Sequence, residues 1–214
     1  MRVRIKICGL ARAEDARAAA GLGVDFLGLV LARSPRGVIP EVASSWVEEI
    51  RAEFPTPAWV GVFVRPADAE IAAAVQRLSL DYVQIHGMPA DWAPHDLPRP
   101  WIRVLSPGAA RQSFLEESQA FATLVDTPRS DGYGGTGEVF DWSAVGPAPK
   151  ERRVFLAGGL DPENVSAAIT TVRPWAVDAS SRLERAPGEK DPARVRAFVE
   201  AVRKIEKSEK EEKA

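Results

Sequence analysis

Lys6 and Cys8 share one side of the run "RIKICG", and Ile5 and Ile7 take the other. A strand alternates its side chains, so this run has an oily face and a face bearing a cation and a thiol, and it stops at Gly9. Two later stretches carry a different chemistry. "AGGLDPENV" is a strand end followed by Gly158 and Gly159, an N-cap aspartate and a helix, and "VDASSRLE" ends a strand on Ser180, Ser181 and Arg182. Glycines let an anion approach the backbone, and serine and arginine supply further donors, so both read as a phosphate cradle. "ARSPRGV" sets Arg36 on a loop after another strand, where a guanidinium can clamp a substrate carboxylate through paired hydrogen bonds.

The elements that must position these groups follow a simple rhythm. Strand candidates are Val3–Cys8, Phe26–Leu31, Trp59–Val64, Tyr82–His86, Trp101–Leu105, Thr123–Asp126, Val154–Ala157 and Ala176–Ala179. Helical stretches separate them: Ala13–Leu22, Pro40–Phe54, Pro66–Leu78, Pro89–Leu97, Ala109–Ala120, a short turn at Trp142–Val145, Pro162–Thr171 and Asp191–Lys204. Strands that alternate with helices imply a parallel sheet wrapped by helices. Eight such units in 214 residues predict a single-domain (β/α)8 TIM barrel over 1–205, with 206–214 as a charged tail. A doubly wound open sheet is the alternative.

In a barrel the outward face meets the helices and must be apolar, while the other face fills the interior. That parity sends Lys6, Cys8, Gln84, His86, Arg103, Asp126 and Asp178 inward, toward the mouth where strands end. Lys6 and Asp178 lie on the first and last strands, adjacent across the seam, and are expected to pair as structural support for the site. The loops bearing Gly158–Gly159 and Ser180–Arg182 follow strands seven and eight, the recurrent phosphate position of this fold. "DTPRSDGYGGTGEVFDW", with glycines at 132, 134, 135 and 137, suits a mobile covering loop.

Bulk composition narrows the function classes. With 28 Lys and Arg against 30 Asp and Glu, the net charge of −2 argues against a general nucleic-acid binder. The single cysteine excludes an internal disulfide and points to a reducing cytoplasm. No apolar run reaches the length of a membrane span, and the chain opens on a strand pattern rather than a signal-like segment. The expected partner is a small phosphorylated molecule, with neither nucleic acid nor membrane involved, bound by a monomer or a homodimer.

The stretches "KICG", "DFLGLV", "SPRGV", "VGVFV", "VQIHG", "LVDTP", "GGTGEVFDW", "AGGLDPENV", "VDASS" and "PGEKD" resemble, in order and spacing, the phosphoribosylanthranilate isomerase family of tryptophan biosynthesis. The resemblance runs from about residue 3 to about residue 200. It implies an Amadori rearrangement of N-(5-phosphoribosyl)anthranilate without metal or organic cofactor. Carried over by position, Cys8 resembles the general base and Asp126 the general acid. Arg36 resembles the contact to the anthranilate carboxylate, His86 joins it as a substrate contact, and residues 158–159 and 180–182 resemble the phosphate site. The acid must keep its proton near neutral pH and the base must lose one. Burial is expected to raise the Asp126 pKa, and Lys6 to favour the Cys8 thiolate.

Two positions depart from the family pattern. Arg182 stands where the family's "SSG" has glycine, and is expected to add a charge to the phosphate site. Glu138 stands where the glycine loop usually has lysine, removing a charge that would attract an anion. Related sugar-phosphate barrels that resemble a pairing of two aspartates are the enzymatic alternative, against which Cys8 speaks. A phosphate-binding module without turnover is the alternative of a different class.

Overall fold

The computed structural model describes residues 2–89, 92, 94, 96–114, 118–127 and 140–211. Strands β1 (Arg4–Ile7), β2 (Phe26–Val30), β3 (Ala58–Val64), β4 (Tyr82–His86), β5 (Trp101–Leu105), β6 (Ala122–Val125), β7 (Val154–Leu156) and β8 (Ala176–Ala179) form a closed barrel in sequence order. Every neighbouring pair is parallel, and β1 pairs with both β2 and β8. Helices α1 (Ala13–Gly21), α2 (Pro40–Glu53), α3 (Asp68–Leu78), α4 (Pro107–Ser113), α5 (Val165–Val172) and α6 (Pro192–Glu211) surround it. The sequence pattern thus places all eight strands to within one residue or two at either end.

Alternation along the strands builds two cores. Outward residues such as Ile5, Ile7, Leu27, Trp59, Val83 and Leu156 pack with Ala16, Val47, Ile50, Ile71 and Leu78 of the helices. Each such large side chain contributes about 1.5–3 kcal/mol on burial. Inward residues Phe26, Val60, Ile102, Leu124, Phe155 and Ala176 form a separate apolar layer inside the barrel. Toward the strands' N-terminal ends the barrel is floored by aromatic rings: Phe155 and Phe26 each lie against Trp175, at 5.3 and 5.8 Å between centroids, and Tyr82 against Phe121 at 4.5 Å. Arg4 and Arg153 sit over the rings of Trp175 and Phe121.

Two expectations are corrected. Arg103 faces the helices, not the interior: in the β4–β5 register Gln84 lies beside Ile102 and outward Ile85 beside Arg103. Ile102 therefore points inward with the apolar layer, and Arg103 meets Thr123 on the outside at 3.4 Å. The reading failed there because it used side-chain polarity to set the face, whereas backbone register sets it. The helix expected over Pro89–Leu97 is the other case. Among the described residues between β4 and β5 none is helical. Pro94, Pro98 and Pro100 remove donors and clash with a preceding turn. Trp92 covers Trp101 instead, ring on edge at 5.5 Å.

The segment after β6 holds only a 3-10 turn, Trp142–Ala144, among its described residues. The glycine-rich loop with Glu138 lies outside the described residues. A two-stranded antiparallel hairpin after β8, β9 (Glu184–Ala186) and β10 (Glu189–Lys190), was not anticipated. The outward placement of Arg103 has a direct consequence: Arg103→Ala leaves kcat within about twofold of wild type and lowers stability by about 1 kcal/mol or less, measured by steady-state turnover and urea denaturation.

Candidate active site

The β1–β8 register sets Lys6 directly beside Asp178. Their side chains meet in an ion pair of 2.9 Å, Lys6 fully buried and Asp178 7% exposed. A buried ammonium without such a partner would carry a prohibitive desolvation cost. Cys8 follows directly, its N–H donating to the Ala179 carbonyl at 2.9 Å, which fixes the end of β1 against β8. Across the barrel the Asp126 N–H donates to Leu105 at 3.1 Å, and the Asp126 carboxylate accepts from the Thr127 N–H at 2.8 Å. Cys8 and Asp126 border one cavity at the C-terminal mouth, together with Gln84, His86 and Asp178.

Room for the sulfur comes from β2. A Cβ on Gly28 would lie 2.9 Å from Cys8 Sγ and 3.1 Å from Cys8 Cα, so any side chain there displaces the thiol. Sequence reading passed over Gly28, because a glycine inside a strand signals close approach without naming what approaches.

Burial governs the charges. It pushes the Cys8 thiol up; Lys6 pulls it back, the Asp178 charge adds to the rise, and Lys190 opposes it. The expected help from Lys6 is present but is outweighed by desolvation, so the resting site holds a thiol. Burial also draws Lys6 down, yet Asp178 and Cys8 outweigh it and hold the ammonium above its ordinary range. Asp178 is pushed up by burial against the pull of Lys6. Desolvation, with the Lys6 charge, lowers His86 to about 4, so its ring is neutral at physiological pH. Its Nε2 lies 2.7 Å from Gln84 Nε2; with the amide donating, the imidazole proton sits on Nδ1. Gln84 Oε1 and Asp178 Oδ1 are buried acceptors with no hydrogen-bond partner among the described residues.

The loops after β7 and β8 form the wall between Asp126 and Cys8. Gly158 and Gly159 both have left-handed backbones, φ 86° and 64°, and a Cβ on Gly158 would strike Thr127 Oγ1 at 2.7 Å. Only glycine takes that conformation at so close an approach. Asp161 caps the next turn, its Oδ1 accepting from the N–H groups of Glu163 and Asn164. Ser180, Ser181 and Arg182 border the same cavity. The Arg182 guanidinium turns to Asp161 Oδ2 at 2.7 Å, bracing the loop after β8 against the loop after β7.

Arg36 is held differently from the sequence expectation. Its loop reaches the cavity wall through Ala32 and Ser34, while its guanidinium grips Glu184, Nε at 2.9 and 3.1 Å and Nη2 at 2.8 Å. Lys190 Nζ meets the same carboxylate at 2.8 Å. Neither Glu184 nor Lys190 stood among the predicted site residues. The signal was there, since the Pro-Gly pair at 187–188 marks the turn that folds Lys190 back onto Glu184.

Two measurements test these electrostatics. Cys8 is the only cysteine, so alkylation by iodoacetamide reports on it alone. The rate rises with pH with a midpoint above the ordinary thiol value near 8.5; a midpoint below 7 contradicts the dominance of burial. For His86, the unfolded chain binds a proton below about 6.5 that the folded chain refuses down to about 4. Stability is therefore complete above pH 6.5 and declines as pH falls through that window. Urea denaturation of His86→Gln loses roughly 2 kcal/mol less than wild type between pH 7 and pH 5.

Comparison with known proteins places this geometry. A family model described as N-(5'phosphoribosyl)anthranilate (PRA) isomerase matches residues 5–201. The N-(5'-phosphoribosyl)anthranilate isomerase of Pseudomonas fluorescens is 40% identical over 210 residues, which cover 96% of this chain and 98% of that protein. Phosphoribosyl anthranilate isomerase from Thermus thermophilus is 34% identical with a TM-score of 0.81, covering 95% of this chain and 100% of its own. Another solved isomerase, 31% identical with a TM-score of 0.75 over 94% of this chain and 99% of that one, is in complex with reduced 1-(o-carboxyphenylamino)-1-deoxyribulose 5-phosphate. With a barrel of the same order, a thiol and a carboxylate on one cavity and a family match across nearly its whole length, this chain belongs to the phosphoribosylanthranilate isomerase family.

Proposed function

We propose that Cys8 and Asp126 are the base and the acid of the reaction this family catalyses. That reaction is the Amadori rearrangement of N-(5-phosphoribosyl)anthranilate to 1-(2-carboxyphenylamino)-1-deoxyribulose 5-phosphate, an isomerisation of tryptophan biosynthesis. The observation that carries the assignment is that the two groups border a single cavity, one from the end of β1 and one from the end of β6.

The proton count follows from the chemistry. Asp126, protonated, gives its proton to the ribose ring oxygen; the C1–O bond breaks and the nitrogen lone pair forms an iminium. The Cys8 thiolate removes the C2 proton, and that electron pair makes the C1=C2 bond of an enolamine. Return of a proton to C1 and loss of one from the C2 hydroxyl give the ketose and restore both side chains. Every step moves a proton or an electron pair within the substrate, so the scheme needs no cofactor. The raised thiol pKa makes the thiolate scarce but strongly basic, which suits removal of a carbon-bound proton.

The remaining walls take the rest of the molecule. Gly158, Gly159, Ser180 and Ser181 hold the phosphate, with the Arg182–Asp161 pair bracing the two loops at its edge. Arg36 receives the anthranilate carboxylate. Neutral His86 and the unpartnered acceptors Gln84 Oε1 and Asp178 Oδ1 face the sugar, whose hydroxyls supply the missing donors. The assigned compartment is the cytoplasm, where a lone thiol stays reduced.

Substrate made in situ from anthranilate and phosphoribosyl pyrophosphate by the preceding transferase loses its fluorescence as it is converted. Wild type consumes it, while Cys8→Ala and Asp126→Asn each lower kcat by about 10²–10⁴-fold with unchanged circular dichroism. Full turnover in either variant overturns its role. If the wild type binds phosphate ligands without turnover, the chain is a binding module instead.

A further inference from the structure

The hairpin β9–β10 sits beside the mouth with two buried ionic side chains, Glu184 and Lys190, joined to the part-buried Arg36, and the proton chemistry above uses none of them. Glu184, its side chain 4% exposed, accepts the Arg36 fork on both oxygens and the Lys190 ammonium on one. Lys190, 2% exposed, also donates to the Ser180 carbonyl at 3.2 Å, and its backbone N–H donates to the buried Asp15 carboxylate at 3.0 Å. Ser180 belongs to the phosphate wall, so one lysine touches both the carboxylate that holds Arg36 and the loop that faces the phosphate.

Two glycines make this assembly compact. A Cβ on Gly9, the residue after the thiol, would lie 2.8 Å from Arg36 Cδ and 2.9 Å from Ser180 Oγ. A Cβ on Gly188, in the hairpin turn at φ 87°, would lie 2.8 Å from the Pro35 carbonyl. Arg36 therefore runs between the end of β1 and the hairpin, close to Cys8. A guanidinium has five N–H donors in one plane. Glu184 occupies the edge formed by Nε and one N–H of Nη2, and no other hydrogen bond to this guanidinium is present among the described residues. The end-on edge, Nη1 with the second N–H of Nη2, keeps the geometry a second carboxylate needs.

We infer that Glu184 and Lys190 are positioning residues: Glu184 orients Arg36 so that its end-on edge meets the carboxylate of the substrate's aromatic ring, and Lys190 couples that clamp to the phosphate loop through Ser180. This rests on the reading of Arg36 as the carboxylate contact. Two cations share the Glu184 carboxylate, beside the place of a substrate that is anionic at both ends. A glutamine at 184 keeps the shape but turns an amide donor toward Lys190 or Arg36, which breaks the fork.

The test compares two ligands by calorimetry: the reduced product, and the same phosphorylated molecule with phenyl in place of 2-carboxyphenyl. Wild type prefers the carboxylate-bearing ligand roughly tenfold to hundredfold. Glu184→Gln and Arg36→Met each reduce that preference to within about threefold, and the double variant loses no more, while inorganic phosphate binds Glu184→Gln as it binds wild type. Lys190→Gln weakens both the preference and the affinity for inorganic phosphate. If Arg36→Met keeps the preference, the reading of Arg36 fails. If Arg36→Met loses it but Glu184→Gln keeps it, the positioning role alone is overturned. Should Glu184→Gln not fold by circular dichroism, Lys190→Gln decides: retention of both affinities refutes the coupling.

Discussion

The site depends on one ion pair, Lys6 with Asp178, buried where the last strand meets the first. Such a pair is a poor source of stability, since the desolvation of both charges offsets most of their attraction. What it provides is placement. The pairing of the two side chains agrees with the backbone register that closes the barrel, so a slip of β8 against β1 would strand two charges in an apolar interior. The same ammonium is the fixed positive charge that Cys8 and His86 both feel, restraining the burial-driven rise of the thiol and adding to the burial that keeps the imidazole neutral.

Above that pair the barrel changes character over two residues of each strand. Phe26, Ile102, Leu124 and Phe155 fill the lower interior; Cys8, His86 and Asp126 occupy the rim. Parity alone makes this possible, because residues two apart on a strand share a face. The apolar layer gives the polar one a rigid base and a low dielectric, and both enlarge the effect of each charge above it. The glycines at 9, 28 and 158 then bring neighbouring groups closer than any side chain would permit, at Arg36, at the thiol and at Thr127 respectively.

The strands were legible because each is a short apolar run bounded by turn signals, and a parallel barrel asks little more. Lys6, Cys8, Gln84, His86, Asp126 and Asp178 point into the barrel as alternation from their apolar neighbours indicates. Arg103 shows the limit: with Ile102 and Val104 on one face and Arg103 on the other, the strand reads equally well inside out, and only pairing with Gln84 decides. The proline-rich stretch after β4 shows another, since a leading proline favours a helix start while the three that follow forbid its continuation. Long-range partners were out of reach. Glu184 lies 148 residues from Arg36, and nothing local in either segment announces the other. The brace from Arg182 to Asp161 was hidden for the same reason.

The aromatic floor has a consequence for traffic. Phe26, Tyr82, Phe121, Phe155 and Trp175 close the lower end of the cylinder, and two guanidinium groups cover the outermost rings. Among the described residues these rings fill the axis at that end, which leaves the mouth at the strands' C-terminal ends as the doorway for reactant and rearranged sugar. Departure must precede arrival, and the two compete for the same free enzyme.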